Sequence, residues 1–111
     1  MSHFLCKLKP PRPTFLSDMS AEEALTMRRH REFWTPRVEI GVVIAMGPVA
    51  DPSGAYGVAI IEAPSRSALD AMLDADPAIL ARSGFSYQVF SMPAIAVRPS
   101  LPLAPIDSVT P

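Results

Sequence analysis

The chain has 111 residues, 49% of them hydrophobic and only 19% charged, with a formal net charge of −1 and one cysteine. That length suits a single domain, and a near-neutral chain without a basic stripe argues against a nucleic-acid partner. No run approaches the roughly 20 apolar residues of a membrane span, and a lone Cys6 forms neither an internal disulfide nor a thiolate metal cage. The N-terminal Met-Ser-His-Phe-Leu-Cys-Lys lacks the apolar core of a secretory signal. A cytoplasmic setting is therefore expected.

Residues 3–8 read as a first strand, with Phe4, Cys6 and Leu8 alternating onto one face. A loop carrying Pro10, Pro11 and Pro13 follows. Ser20 and Glu23 then form an S-x-x-E capping box, a helix-opening signal in which each side chain satisfies an orphan backbone N–H. Ala24, Met27, Trp34 and Val38 fall on one stripe at the 3.6-residue period, with Arg28, Arg29, Arg31 and Glu32 mostly away from it. Pro36 is expected to kink or end the regular part, and Gly41 to terminate the helix. Residues 42–47 make a second strand, apolar on both faces. Asp51-Pro52-Ser53-Gly54 has the residue order of a type I turn, so residues 55–62 return as an antiparallel third strand. A second helix from about Ser65 to Ala75 has Ala68, Leu69, Met72 and Leu73 as its apolar face, and Asp76-Pro77 stops it. A short helical turn leads to Gly84. Phe85, Tyr87 and Val89 alternate in a fourth strand, which Ala94–Val97 extend or follow as a short edge strand. The tail, residues 98–111, is proline-rich and without a period, and is set apart from a domain of residues 1–97.

The order β-α-β-β-α-β is the ferredoxin-like split βαβ arrangement, an α+β fold with two helices on one face of an antiparallel sheet. The other face is bare in a single copy. Its apolar strands and the low charge fraction predict a homodimer that covers it.

Several pieces in this order resemble the YciI-like (YCII-related) family: Phe4-Leu-Cys-Lys-Leu8, His30-Arg-Glu-Phe-Trp34, Gly41, Gly47-Pro48 through Asp51-Pro-Ser-Gly54, Asp74-Ala-Asp76-Pro77, Gly84-Phe85 and Met92-Pro93. Residues 3–97 carry the resemblance. It implies a ferredoxin-like fold that dimerises into an α/β barrel, and an active site built on a His–Asp pair. The family histidine falls on His30 and the aspartate before proline on Asp76, with Asp51 a second acidic candidate. Some members of that family are linked to aromatic breakdown, removing chloride from a chlorinated hydroxyquinol. The long Pro10–Met19 loop and the tail depart from its smallest members and would reshape a pocket mouth.

Each candidate also has a purely structural reading. His30 sits at the edge of the apolar stripe beside Met27 and Trp34. It is either a general base or nucleophile or a core histidine satisfied by one carbonyl. His30 lies ten residues past Ser20 and Asp76 eleven past Ser65, so both stand ~15 Å along roughly parallel helices, level with each other. Asp76 would then hold the imidazole tautomer, cap the helix at Pro77, or do both. Asp51 is the favoured first residue of its turn. Trp34, Phe33, Tyr56 and Phe85 line a pocket for a ring-shaped ligand or are core. Cys6 reads as a small buried apolar group. Phosphate-cradling glycine loops and a G-x-S-x-G elbow are missing, and His3 and His30 are not at metal-ligand spacing.

The expected function is a small enzyme of lyase, isomerase or hydrolase type. It would do acid–base chemistry with His30 and Asp76 on a small ring-containing organic substrate, without a cofactor. The alternative is a non-catalytic module that binds a small ligand or drives dimerisation. A haem site with His30 as axial ligand is a third reading.

Overall fold

Alternation of apolar residues puts Phe4, Cys6 and Leu8 on the buried face of strand β1, Ser2–Lys9. The computed structural model describes residues 1–99. After β1 come helix α1 (Phe15–Asp18), helix α2 (Ala21–Glu39), the hairpin β2 (Val43–Val49) and β3 (Tyr56–Ala63), helix α3 (Arg66–Asp74), the single turn α4 (Pro77–Leu80) and strand β4 (Ser86–Met92). The four strands form one antiparallel sheet in the order β2-β3-β1-β4. Trp34 of α2 and Leu69 and Leu73 of α3 join Phe4, Cys6, Ala59, Ile61 and Ala63 in one core, so both long helices cover the same sheet face. This is the expected ferredoxin-like α+β fold.

Local chemistry sets most of the boundaries. The capping box at Ser20 forms in both directions: Glu23 N–H donates to Ser20 Oγ at 3.1 Å and Ser20 N–H to Glu23 Oε1 at 2.9 Å. Ser65 caps α3 by accepting from Ala68 N–H. Gly41, at φ +86°, closes α2 in the left-handed region that a side chain would oppose. Gly54 N–H returns to Asp51 O at 3.0 Å to close the β2–β3 turn.

Three features differ from the sequence expectation. Pro36 does not end α2, which runs on to Glu39. It lies in the last turn among exposed residues, where water can satisfy the Glu32 carbonyl that loses its N–H partner. The proline loop holds an extra helical turn, α1, which buries Phe15. Arg12 braces that loop, donating to Asp18 and, with both terminal nitrogens, to the two oxygens of Glu23 at 2.8 Å. Finally, Ala94–Val97 form no strand. Pro93 has no N–H to continue the ladder, and β1 already starts at Ser2, one residue before the last pair His3–Met92. The expected proline-rich tail lies outside the described residues from position 100 onward.

Candidate functional site

The stop after α3 places a carboxylate in the interior. Asp76 is the N-cap of α4, with Pro77 at the first helical position, and its Oδ1 accepts from Ala78 N–H at 2.8 Å. It is also the one buried charged residue of the described core, with 0% exposure. Three side chains from two other elements converge on it. Trp34 Nε1–H of α2 donates to Oδ2 at 2.8 Å, Tyr87 O–H of β4 donates to the same oxygen at 2.5 Å, and His30 Nδ1 of α2 lies 2.9 Å from both oxygens.

These four donors decide the charge states. A carboxylate in this burial, unpaired, would be pushed toward the neutral acid. Here the bonds from His30, Tyr87, Trp34 and Ala78 outweigh burial and hold Asp76 below the usual carboxylate range. Burial and the adjacent Asp76 charge push the Tyr87 hydroxyl upward, so it stays a neutral donor. An ionised carboxylate only accepts, so His30 must carry its proton on Nδ1. In the neutral ring Nε2 is then a bare lone pair. No protein group bonds it, and no buried side-chain nitrogen or oxygen among the described residues goes unpaired, so Nε2 is open.

His30 lines a cavity of about 730 Å³ between α2, the sheet and the proline loop. Met27, His30 and Arg31 supply the helix wall, Cys6, Ala59 and Tyr87 the sheet floor, and Phe15, Leu16 and Met19 the loop side. The volume is within the range of small-molecule sites. Gly84 fixes one corner. Its φ is +106°, and a Cβ there would stand 2.8 Å from Pro11 Cβ. That close approach sets Phe85 against Phe15, edge to face at 5.1 Å.

The structure thus brings His30 and Asp76 together, and the capping role of Asp76 coexists with that contact. Asp51 is elsewhere. Its Oδ1 accepts from Ser53 N–H and Oγ–H, bonds that hold its carboxyl low, and it borders a separate shallow depression with Pro13 and Thr14. Of the four aromatics expected to contact a ligand, Tyr56 and Phe85 line the cavity. Trp34 is 1% exposed in the core with its indole N–H on Asp76, and Phe33 packs on Trp34 and under Arg37. Tyr87 and Arg31 line the cavity without having been singled out as site residues. Cys6 lies in the floor with its thiol pushed up to about 11 by burial, so it stays protonated. Among the described residues no three His, Cys, Asp or Glu side chains gather as a metal site, and no helix is long and apolar enough to cross a membrane.

No curated protein matches the chain. The YCII-related domain family matches residues 3–93, a span that includes β1 from His3 on, both long helices, His30, Asp76 and all of β4. The chain belongs to the YCII-related domain family.

Proposed function

We propose that the cavity binds a small ring-containing organic molecule and that His30 moves a proton on it. The observation that carries this reading is the 2.9 Å contact of His30 Nδ1 with buried, ionised Asp76, which leaves Nε2 as the free face of the ring at the cavity wall. Nε2 takes a proton from the bound molecule. The imidazolium that forms faces the Asp76 carboxylate, which offsets its charge, and Nε2 returns the proton to the product. Asp76, with all its acceptor sites occupied, orients the ring and does not itself take the proton. Lyase, isomerase and hydrolase reactions all use such a step. The test is a thermal-shift screen of small ring-bearing compounds, because a ligand of the folded state raises stability by RT ln(1 + [L]/Kd). Hits are then assayed for turnover by wild type and His30→Ala. Binding without any turnover would instead support the non-catalytic module.

The second part of the reading is a homodimer. The sheet face away from the helices carries Leu5, Val58, Ile60, Phe90 and Met92, brought side by side by the Leu5–Ile60 and Leu5–Phe90 pairs. Phe90 is 45% exposed. We read this apolar patch, on a face that also carries His3, Lys7, Glu62 and Gln88, as an association surface, and a second copy of the chain supplies a matching one. Wild type should sediment as a dimer at micromolar concentration and Phe90→Glu as a folded monomer. A monomeric wild type would overturn this part and leave the cavity reading standing.

A further inference from the structure

The cavity wall holds one cation without a counter-charge. Arg31 lines the cavity one residue after His30. The ion pairs among the described residues are His3–Glu62, Arg12 with Asp18 and Glu23, His30–Asp76 and Arg66–Asp70, and none includes Arg31. Arg31 also donates no side-chain hydrogen bond among those residues, although its backbone carbonyl accepts from Thr35 Oγ1 at 2.8 Å. Arg37, by contrast, donates to Phe33 O and stacks on the Phe33 ring. Arg31 is an exposed residue, and its guanidinium fork is without a protein partner among the described residues, at the edge of a largely apolar space.

The one other ion among the lining residues, apart from His30, is Glu39. It lies eight residues further along α2, ~12 Å away at 1.5 Å per residue. An anion entering the cavity is drawn to the Arg31 end and repelled from the Glu39 end. That places its apolar body toward Met27, Phe15 and Phe85.

Resting on the cavity reading above, we propose that Arg31 selects the ligand class: a small apolar molecule bearing one anionic group with two or more oxygens, such as a carboxylate or sulfonate. The planar fork meets two anion oxygens at once, which a point charge cannot. Arg31 and His30 line the same cavity, so a ligand anchored at Arg31 occupies the space that His30 borders.

Two fluorescent probes share one body and differ in charge: 8-anilinonaphthalene-1-sulfonate and the neutral N-phenyl-1-naphthylamine. Both are titrated into the full chain at low ionic strength, for wild type, Arg31→Met, Arg31→Lys and the exposed control Arg29→Met. Arg31→Met should weaken the sulfonate about tenfold and leave the neutral probe within twofold. Arg31→Lys should fall between, and Arg29→Met should match wild type. Added salt should weaken the sulfonate alone. If both probes bind wild type and Arg31→Met treats them alike, or Arg29→Met weakens the sulfonate equally, the anchor is refuted while the cavity stands. If neither probe binds, or if filling the cavity with Met27→Trp displaces neither, the cavity reading fails and the anchor with it.

Discussion

Asp76→Ala should lower the free energy of unfolding by about 3–5 kcal/mol at pH 7, read from a urea melt. Removing the carboxylate leaves the Trp34 indole N–H, the Tyr87 hydroxyl and the Ala78 N–H without their acceptor. Each such buried donor costs about 1–3 kcal/mol, and the α4 cap is lost as well. The sum is large against the roughly 5–15 kcal/mol that holds a domain together. Asp76→Asn keeps the shape but turns an amide donor toward at least one of the converging donors, and should also destabilise. The effect depends on pH with a definite sign. The native carboxyl of Asp76 is held below its ordinary value, so its stabilisation is full above about pH 4, the unfolded range. It disappears as pH falls through the lower native value. The gap between wild type and Asp76→Asn should therefore be widest at neutral pH and narrow below pH 4. A constant gap would mean that Asp76 has the same pKa folded and unfolded, and a gap that widens as pH falls would mean that Asp76 is neutral in the native protein.

His30→Ala should reduce kcat by about a hundred- to ten-thousandfold on any substrate the screen yields, the usual contribution of a positioned acid–base group. The fold should persist, since Asp76 keeps its bonds from Trp34, Tyr87 and Ala78 and His30 is not among the core residues. Circular dichroism separates the two effects. His30→Gln, which restores bulk without a titrating nitrogen, should not recover activity. Turnover that survives either substitution would place the chemistry elsewhere in the cavity.

The fold was legible because its signals are local. The capping box, the Ser65 cap, the type I turn and the two-residue alternation of β1 and β4 each depend on a few neighbouring residues. Each matches an element boundary to within a residue or two. The extra turn α1 was not, because it depends on Arg12 reaching Asp18 and Glu23 across the loop. Pro36 misled because its cost depends on exposure rather than on sequence.

The site was legible only in part. His30 and Asp76 are 46 residues apart, and helix rise alone brought them level without fixing the contact; family resemblance supplied the pairing. Tyr87 reaches Asp76 because β4 pairs with β1 in the register Leu8–Tyr87, which no single strand encodes. Arg31 was set aside because a stripe drawn by hydrophobicity skips a charge. Yet it stands four residues after Met27 and seven after Ala24, on the same wall. Trp34, chosen as a ligand contact, is drawn inward by the one buried acceptor its indole can meet.

Nitrogen-15 NMR of the His30 ring, in full-length protein at a pH where the imidazole is neutral, reads the arrangement directly and needs no ligand. The donors around Asp76 require the proton on Nδ1, with an unprotonated Nε2 in wild type and loss of that preference in Asp76→Asn. A ring protonated on Nε2, or one exchanging freely between tautomers while Asp76 is intact, would contradict the account.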